Sequence, residues 1–435
     1  MDLKKSFAQS IIWRGFYFFS LLLVNIFLSR YLQAAGTGML YFISIILSFM
    51  QVALSLGVES GVTYFASANI IERNKLITVM GLWSVAAGIV TIGLIYGYFV
   101  LHPDPALVLP YCIYGFLYVS GQSLATYATS IYYTRENYFT PNFLLGIVNL
   151  LFVLVIPGKN EPTTPAEIQR VIYLYFATFF VAGVLAYFSF MIQNRKFGSF
   201  GFPAKKYLVR FFRYSITALA ANVIFFMVYR IDYFFVNSSP VCTAADLGNY
   251  IQVSKLGQMM LIVPQIIASV VFPRTASGID KTMLNNAILV MARLLSQLYV
   301  VVFILIAFTG NWIFITVFGE TFDKMQIPML VIMPGILALS VLSLLSAFFA
   351  GKGKVSVNVR GATYGLICMI VGDYLLVPRY GIIAAAAVST LSYSVNLGYS
   401  LLQFYHDHSI SWLEFIKWKK GDYNWLFNIL KRDAG

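Results

Sequence analysis

The stretch 246–265, DLGNYIQVSKLGQMMLIVPQ, places Lys255 inside a run whose other residues suit burial in lipid. A cation near the centre of a bilayer costs at least a few kcal/mol on insertion scales, so this position calls for a compensating role. Four further basic residues lie within or beside apolar runs: Arg14, Arg230, Arg293 and Arg360. Lys255 is the deepest, about 12 Å along a helix that rises 1.5 Å per residue. Arg14, Arg293 and Arg360 fall within two or three turns of a helix end. A long basic side chain there either snorkels to the interface or lines a cavity. Arg230 lies close to Asp232, within reach of a local ion pair. For Lys255 the alternatives are an ion pair with a distant acid, Glu59 or Asp373, or a ligand of opposite charge. Five cations against two or three acids leave the interior positive, and a positive cavity in a low-dielectric wall attracts an anion.

Polar residues recur at helical spacing in the same runs. Ser44, Ser48, Gln51 and Ser55 share a face, with Glu59 one turn further on. Gln252, Lys255 and Gln258 step by three, with Gln265 two turns beyond, and Arg14 shares a face with Asn25. Two serine stripes, Ser120–Ser123–Tyr127–Ser130 and Ser389–Ser392–Asn396–Ser400 followed by Gln403, read as cement between helix pairs. The glutamine-bearing faces read as a lining. The candidate anion site is therefore Lys255, Arg230, Arg14, Gln51, Gln252, Gln258, Asn25, Arg293 and Arg360. Glu59, Asp232 and Asp373 are candidates for coupling to H⁺ or Na⁺, although no recognisable ion site surrounds any of them.

Catalysis is not expected. The histidines, His102, His406 and His408, all fall outside the apolar runs. Cys112, Cys242 and Cys368 show neither metal-ligand nor disulfide-framework spacing. No glycine-rich phosphate loop or nucleophile elbow occurs. Beyond a coupling ion, no cofactor is expected.

The elements that must position these residues are membrane spans. Hydrophobic residues make up 59% of the 435 and charged residues 11%, against roughly 25% charged in a soluble domain. Twelve apolar segments stand out, near 11–32, 38–57, 76–100, 107–131, 138–157, 169–193, 211–236, 248–272, 285–309, 326–350, 355–377 and 381–404. In lipid the backbone must satisfy itself, so each is expected to be a helix. The first follows Lys4 and Lys5 but is too long for a cleaved signal and contains Arg14, so it reads as a retained span. The net charge of +13 reflects topology and contact with anionic lipid, with no nucleic acid implied. With the N-terminus inside, the outer loops hold only Arg30, Lys159, Arg170, Lys324 and Arg379, the longest clear loop being 158–168. The positive-inside rule then puts both termini in the cytoplasm.

Loop 194–210 is basic and divides the chain into an N-lobe, 1–193, and a C-lobe, 211–404. At an offset of 210, Ala34/Ala244, Ala35/Ala245, Gly38/Gly248, Ser44/Ser254 and Met50/Met260 match, as a duplicated six-helix unit running in one direction would leave them. The tail, 405–435, alternates aromatic and aliphatic residues with Lys and Arg. It reads as a basic anchor or an amphipathic helix in the cytoplasmic interface, broken at Gly421.

RYLQAAGTGMLYFI from Arg30, LSLGVESGVTYFAS from Leu54 and YYTRENYFTPN from Tyr132 resemble a known family. YRIDYFFVN, DLGNYIQVSKLGQMMLIVPQIIASVVFPR, VFGETF and AGKGKVSVNV continue the likeness in order through the second half. The chain resembles the polysaccharide-transporter (O-antigen flippase, Wzx-type) members of the multidrug/oligosaccharidyl-lipid/polysaccharide (MOP) exporter superfamily. One departure is Gln33-Ala34-Ala35, where the family usually has Gly-Pro. The resemblance implies an all-α fold of twelve transmembrane helices in two six-helix lobes related by a pseudo-two-fold along the membrane normal. The lobes would surround a cavity lined by spans 1, 2, 7 and 8. It also implies alternating access that carries an undecaprenyl-diphosphate-linked oligosaccharide across a bacterial inner membrane, alongside polysaccharide polymerase or assembly partners. The rival readings are a drug or cation antiporter, which would need acids in the cavity, and a peptidoglycan-precursor flippase, whose family shows more spans. A glycan polymerase would need a large outer loop, which is missing.

Overall fold

The computed structural model describes residues 3–158, 164–194, 200–276, 281–408, 412–415, 417–419 and 421–423. Among these, every regular element is helical. Nine helices are long and apolar enough to cross a membrane. Two of them, Gln9–Leu54 and Val355–Asp407, run through a backbone break and count as two spans each, and the shorter Phe139–Val155 adds one. The protein is therefore a multi-pass membrane protein with the twelve spans marked in its sequence. It forms two compact units, Met1–Phe226 and Met227–Gly435.

The first unit holds α1 (Leu3–Leu54), α2 (Val58–Ser67), α3 (Arg73–Leu101), α4 (Pro105–Tyr133), α5 (Phe139–Val155), α6 (Pro165–Asn194) and most of α7 (Lys205–Val228). The expected loop between spans 1 and 2 is a single residue. Gln33 takes φ 58°, ψ 178° inside α1, and its Nε2 donates to Arg30 O at 2.9 Å. That backbone region is almost reserved for glycine, so the departure from Gly-Pro falls on a strained joint. Leu56 and Gly57 are also left-handed and turn the chain into α2. A Cβ on Gly57 would sit 2.2 Å from Ser215 O of α7, so only glycine fits. Below this turn α2, α3, α4, α6 and α7 share a core of Val62, Phe65, Ile77, Ile131, Phe190 and Phe211.

Helices α4 and α6 approach through glycine. A Cβ on Gly183 would lie 2.1 Å from Gly121 O, and one on Gly121 only 2.4 Å from Phe180 Cα. With lipid as apolar as leucine, this close backbone approach is what drives two such helices together.

The second unit holds α8 (Ile231–Asn237), α9 (Ala244–Met260), α10 (Ile262–Ala276), α11 (Lys281–Phe318), α12 (Gln326–Gly351) and α13 (Val355–His408). Two spans expected to be continuous are broken. Span 7 stops at Val228 and resumes as α8, and span 8 divides into α9 and α10. Pro264 explains the second break: it lacks the N–H that would bond Met260 O and its ring crowds that carbonyl. Tyr299 of α11 donates to the freed Met260 O at 3.1 Å. Spans 11 and 12 join without a loop at Gly381 (φ 61°). The N-terminus of α9 is closed by a capping box between Thr243 and Asp246, and Asp246 also pairs with Lys324 at 2.8 Å.

Past the end of α13 the described part of the tail holds a 3-10 turn, Trp412–Phe415; residues 409–411, 416, 420 and 424–435 lie outside the described part. The tail is tied to α11. Arg293 donates through Nε and Nη2 to both oxygens of Asp422 at 2.7 Å and through Nη1 to Glu414 O at 2.8 Å. Both charged groups are buried. Burial alone would raise the Asp422 carboxyl, but the bonds from Arg293 and the Lys419 N–H hold it below the usual carboxylate value.

Removing one partner of a buried pair costs about 3–5 kcal/mol, so Asp422→Asn is expected to lower the thermal midpoint of the purified protein near neutral pH. Because the folded carboxyl is lowered, the ion pair stabilises fully above the free aspartate value of about 3.9 and is lost as pH falls through its folded value. Melts of wild type and variant should converge there. Gly183→Val is expected to abolish a monodisperse peak in size-exclusion chromatography, whereas Gly97→Val, with open space around its Cβ position, should leave it intact.

Candidate functional site

The break before α8 makes Arg230 its N-cap residue, with a non-helical φ of −142°. Its Nη1 donates to Tyr233 Oη at 3.0 Å and its Nη2 to Gln258 Oε1 at 2.7 Å, and the guanidinium lies 5.6 Å from the Tyr233 ring centre. Gln258 donates in turn to Ser254 Oγ at 3.3 Å. Lys255, half-buried one turn before Gln258, stands within Coulombic range of Arg230. Gln252, the third member of the α9 stripe, is fully buried. Two cations thus share one corner of the second unit. Asp232 is a negative group within Coulombic range of Arg230.

Two residues beyond Arg230 the charge reverses. Asp232 is completely buried and accepts from Tyr250 Oη at 2.5 Å, from Ser389 Oγ at 3.2 Å and from the Tyr233 N–H at 3.0 Å. Asp373 of α13, also fully buried, lies within electrostatic reach of Asp232. Neither of its carboxylate oxygens has a hydrogen-bond partner among the described residues. An unpaired buried carboxylate is strongly unfavourable, and two neighbouring ones do not both stay charged unaided. The sequence marked Asp232 and Asp373 separately, because 141 positions of chain separate them. Tyr250 and Tyr233 went unmarked; both lie in the stretches YRIDYFFVN and DLGNYIQV that flank the marked charges.

The candidates of the first unit are dispersed. Arg14 is half-buried on α1, stacked over Tyr133 at 4.6 Å and near Tyr138 at 5.5 Å, with its Nε buried and without a hydrogen-bond partner among the described residues. Asn25 is buried and accepts from Tyr41 Oη, and Gln51 is buried with its amide 3.5 Å from Ser123 Oγ. Glu59, in the first turn of α2, accepts from Asn222 Nδ2 at 2.5 Å, while its Oε2 is buried without a partner among the described residues. It lines a recess of about 670 Å³ with Ser60, Thr63, Tyr64, Ser130 and Tyr214. Two candidates stand apart in the second unit. The charge of Arg293 is answered by Asp422, which removes it from the set open to an anion. Arg360 is exposed on α13.

No group of three or more His, Cys, Asp or Glu side chains comes together among the described residues. No protein-family model and no curated protein matches the chain. Solved structures do. An inward-facing multidrug-resistance MATE transporter of the MOP superfamily superposes with a TM-score of 0.68 at 12% identity, covering 90% of this chain and 94% of that one. The lipid II flippase MurJ, in an inward closed conformation, gives 0.68 at 16% identity over 97% and 93%. A MOP-superfamily transporter from Pyrococcus furiosus, described as having a binding pocket of reversed polarity, gives 0.64 at 13% identity over 94% and 96%. The chain has the twelve-helix fold of the MOP-superfamily transporters.

Proposed function

We propose that the protein is an alternating-access flippase. Its substrate is an undecaprenyl-diphosphate-linked oligosaccharide, the repeat unit of a surface polysaccharide. The direction is from the cytoplasmic to the periplasmic leaflet of a bacterial inner membrane. The observation that carries this reading is the Arg230–Lys255 pair, two cations held within range of each other in a membrane-spanning unit. A diphosphate has the charge such a pair attracts, and its polyprenyl tail can remain in lipid while the head group crosses. In the second unit Gln258 bonds Arg230 beside the pair; in the first unit Arg14 keeps a buried Nε without a hydrogen-bond partner among the described residues. One neighbour in fold is itself a lipid II flippase.

The carboxylates Asp232 and Asp373 serve as the coupling site for H⁺ or Na⁺ in this reading. A second reading, a drug or cation antiporter, draws on the same acid pair and on the MATE neighbours. The two differ in cargo: the first moves an anionic lipid, the second a soluble cation.

Reconstituted protein is expected to move a fluorescent undecaprenyl-diphosphate oligosaccharide between liposome leaflets without inhibition by a cationic dye. Lys255→Gln should reduce the rate at least about tenfold, the factor that 1.4 kcal/mol of lost interaction produces. Normal flipping by Lys255→Gln at unchanged protein level would sink the assignment of Lys255. Dye transport without lipid flipping would establish the antiporter instead. In the same liposomes an imposed Na⁺ or proton gradient should accelerate wild type, and Asp232→Asn/Asp373→Asn should lose that acceleration. A gradient response that survives in the double variant would remove the acid pair from coupling.

A further inference from the structure

At the Lys/Arg-rich end of the first unit, the start of α3, the end of α4 and the end of α6 surround a recess of about 200 Å³. It is lined by Asn69, Ile71, Glu72, Arg73, Asn74 and Arg135. Both arginines are positioned by neutral oxygen atoms. Arg73 Nε donates to Thr134 Oγ1 at 3.3 Å, and Thr134 is fixed in turn by its bond to Ile131 O. Arg135 Nη1 donates to Asn194 Oδ1, and its guanidinium lies 5.2 Å from the Phe190 ring centre. Asn194 is anchored to Phe190 O, and its own carbonyl accepts from Asn74 Nδ2 at 3.2 Å. Three helices, through their ends, therefore hold the two guanidinium groups in place.

Their charges are not neutralised. Glu72, the carboxylate that lines the recess, is bonded to Lys75 at 2.7 Å. Neither Arg73 nor Arg135 makes an ion pair with any described carboxylate. The two like charges lie within Coulombic range of each other. The terminal nitrogens of Arg73, and Nη2 of Arg135, have no protein acceptor among the described residues. Two preorganised guanidinium forks around a small recess match the oxygens of a phosphate, which arginine binds bidentately. The recess lies at the ends of three helices long and apolar enough to cross a membrane, and helices of that length end near the headgroup region. Basic pockets at that level take up anionic headgroups.

We propose that Arg73 and Arg135 form a binding site for the phosphate of an anionic phospholipid headgroup. The site is separate from Arg230 and Lys255, and it stands whether or not the protein flips a glycolipid. A headgroup bridging the ends of α3, α4 and α6 would brace the face of the first unit against the bilayer. Inorganic phosphate offers the same oxygens without the acyl chains, so the two sources are separable.

The test uses the full chain purified in a detergent with a neutral headgroup, with thermal midpoints read while lipid is added. Phosphatidylglycerol should raise the wild-type midpoint, and phosphatidylcholine should not. Arg73→Gln/Arg135→Gln should lose more than half of the phosphatidylglycerol shift, while Arg379→Gln, an exposed arginine in the second unit, keeps it. If the double variant does not accumulate, Arg135→Lys retains the charge but not the fork. Native mass spectrometry should then show fewer retained phosphatidylglycerol molecules than on wild type. An unchanged shift in the double variant, or unchanged retention by Arg135→Lys, overturns the site. A shift reproduced in full by millimolar inorganic phosphate overturns the lipid as its occupant.

Discussion

A charge or polar group removed from water into lipid has to be answered by the protein itself, and much of this structure follows from how each one is answered. Arg293 is answered by a carboxylate, Asp422, brought from the tail. Arg230 is oriented by a phenol and an amide and lies within Coulombic range of the Asp232 carboxylate. Asp232 is answered by two hydroxyls and a backbone N–H. Asp373 is left without a hydrogen bond among the described residues. The series runs from full neutralisation to none. The groups at its unneutralised end are the ones with capacity left for a ligand.

The backbone obeys the same demand. Breaking a helix within the membrane frees carbonyls that water does not reach, so every break needs a substitute donor. At Gln33 the residue's own side chain supplies it, bonding Arg30 O. At Pro264 the donor comes from another helix, through Tyr299. The break before α8 has a further effect: it turns Arg230 from one residue in a helical row into a cap, aimed across at Gln258 of α9.

The spans were readable from the sequence because twenty apolar residues in a row have few alternatives in lipid. Most span ends held within a few residues for the same reason, but the ninth runs on to Phe318, nine residues past its expected end, and the seventh starts six residues early at Lys205. The breaks at 229–230 and the joining of spans through Gln33 and Gly381 were not readable. A single left-handed residue can replace a whole loop, and only tertiary packing decides that it does. Lys255, Arg230, Asp232 and Asp373 were visible as charges out of place. Their grouping was not, because a chain position says nothing of which helices adjoin. Arg293 looked equivalent to Arg14 and Arg360 in sequence. The difference is Asp422, more than a hundred residues later, in a tail that reads only as basic. The convergence of Arg73 and Arg135 depends on Thr134 and Asn194, which no spacing rule marks.

Helix α11 carries both Tyr299, which closes the gap in span 8, and Arg293, which holds the tail. These residues lie about 9 Å apart along one rigid helix at 1.5 Å per residue. The bend between α9 and α10 is thus not a free joint. It is one end of a lever whose other end grips the C-terminus. One helix joins the last carbonyl of α9, the helix that bears Lys255, to the carboxylate that anchors the tail.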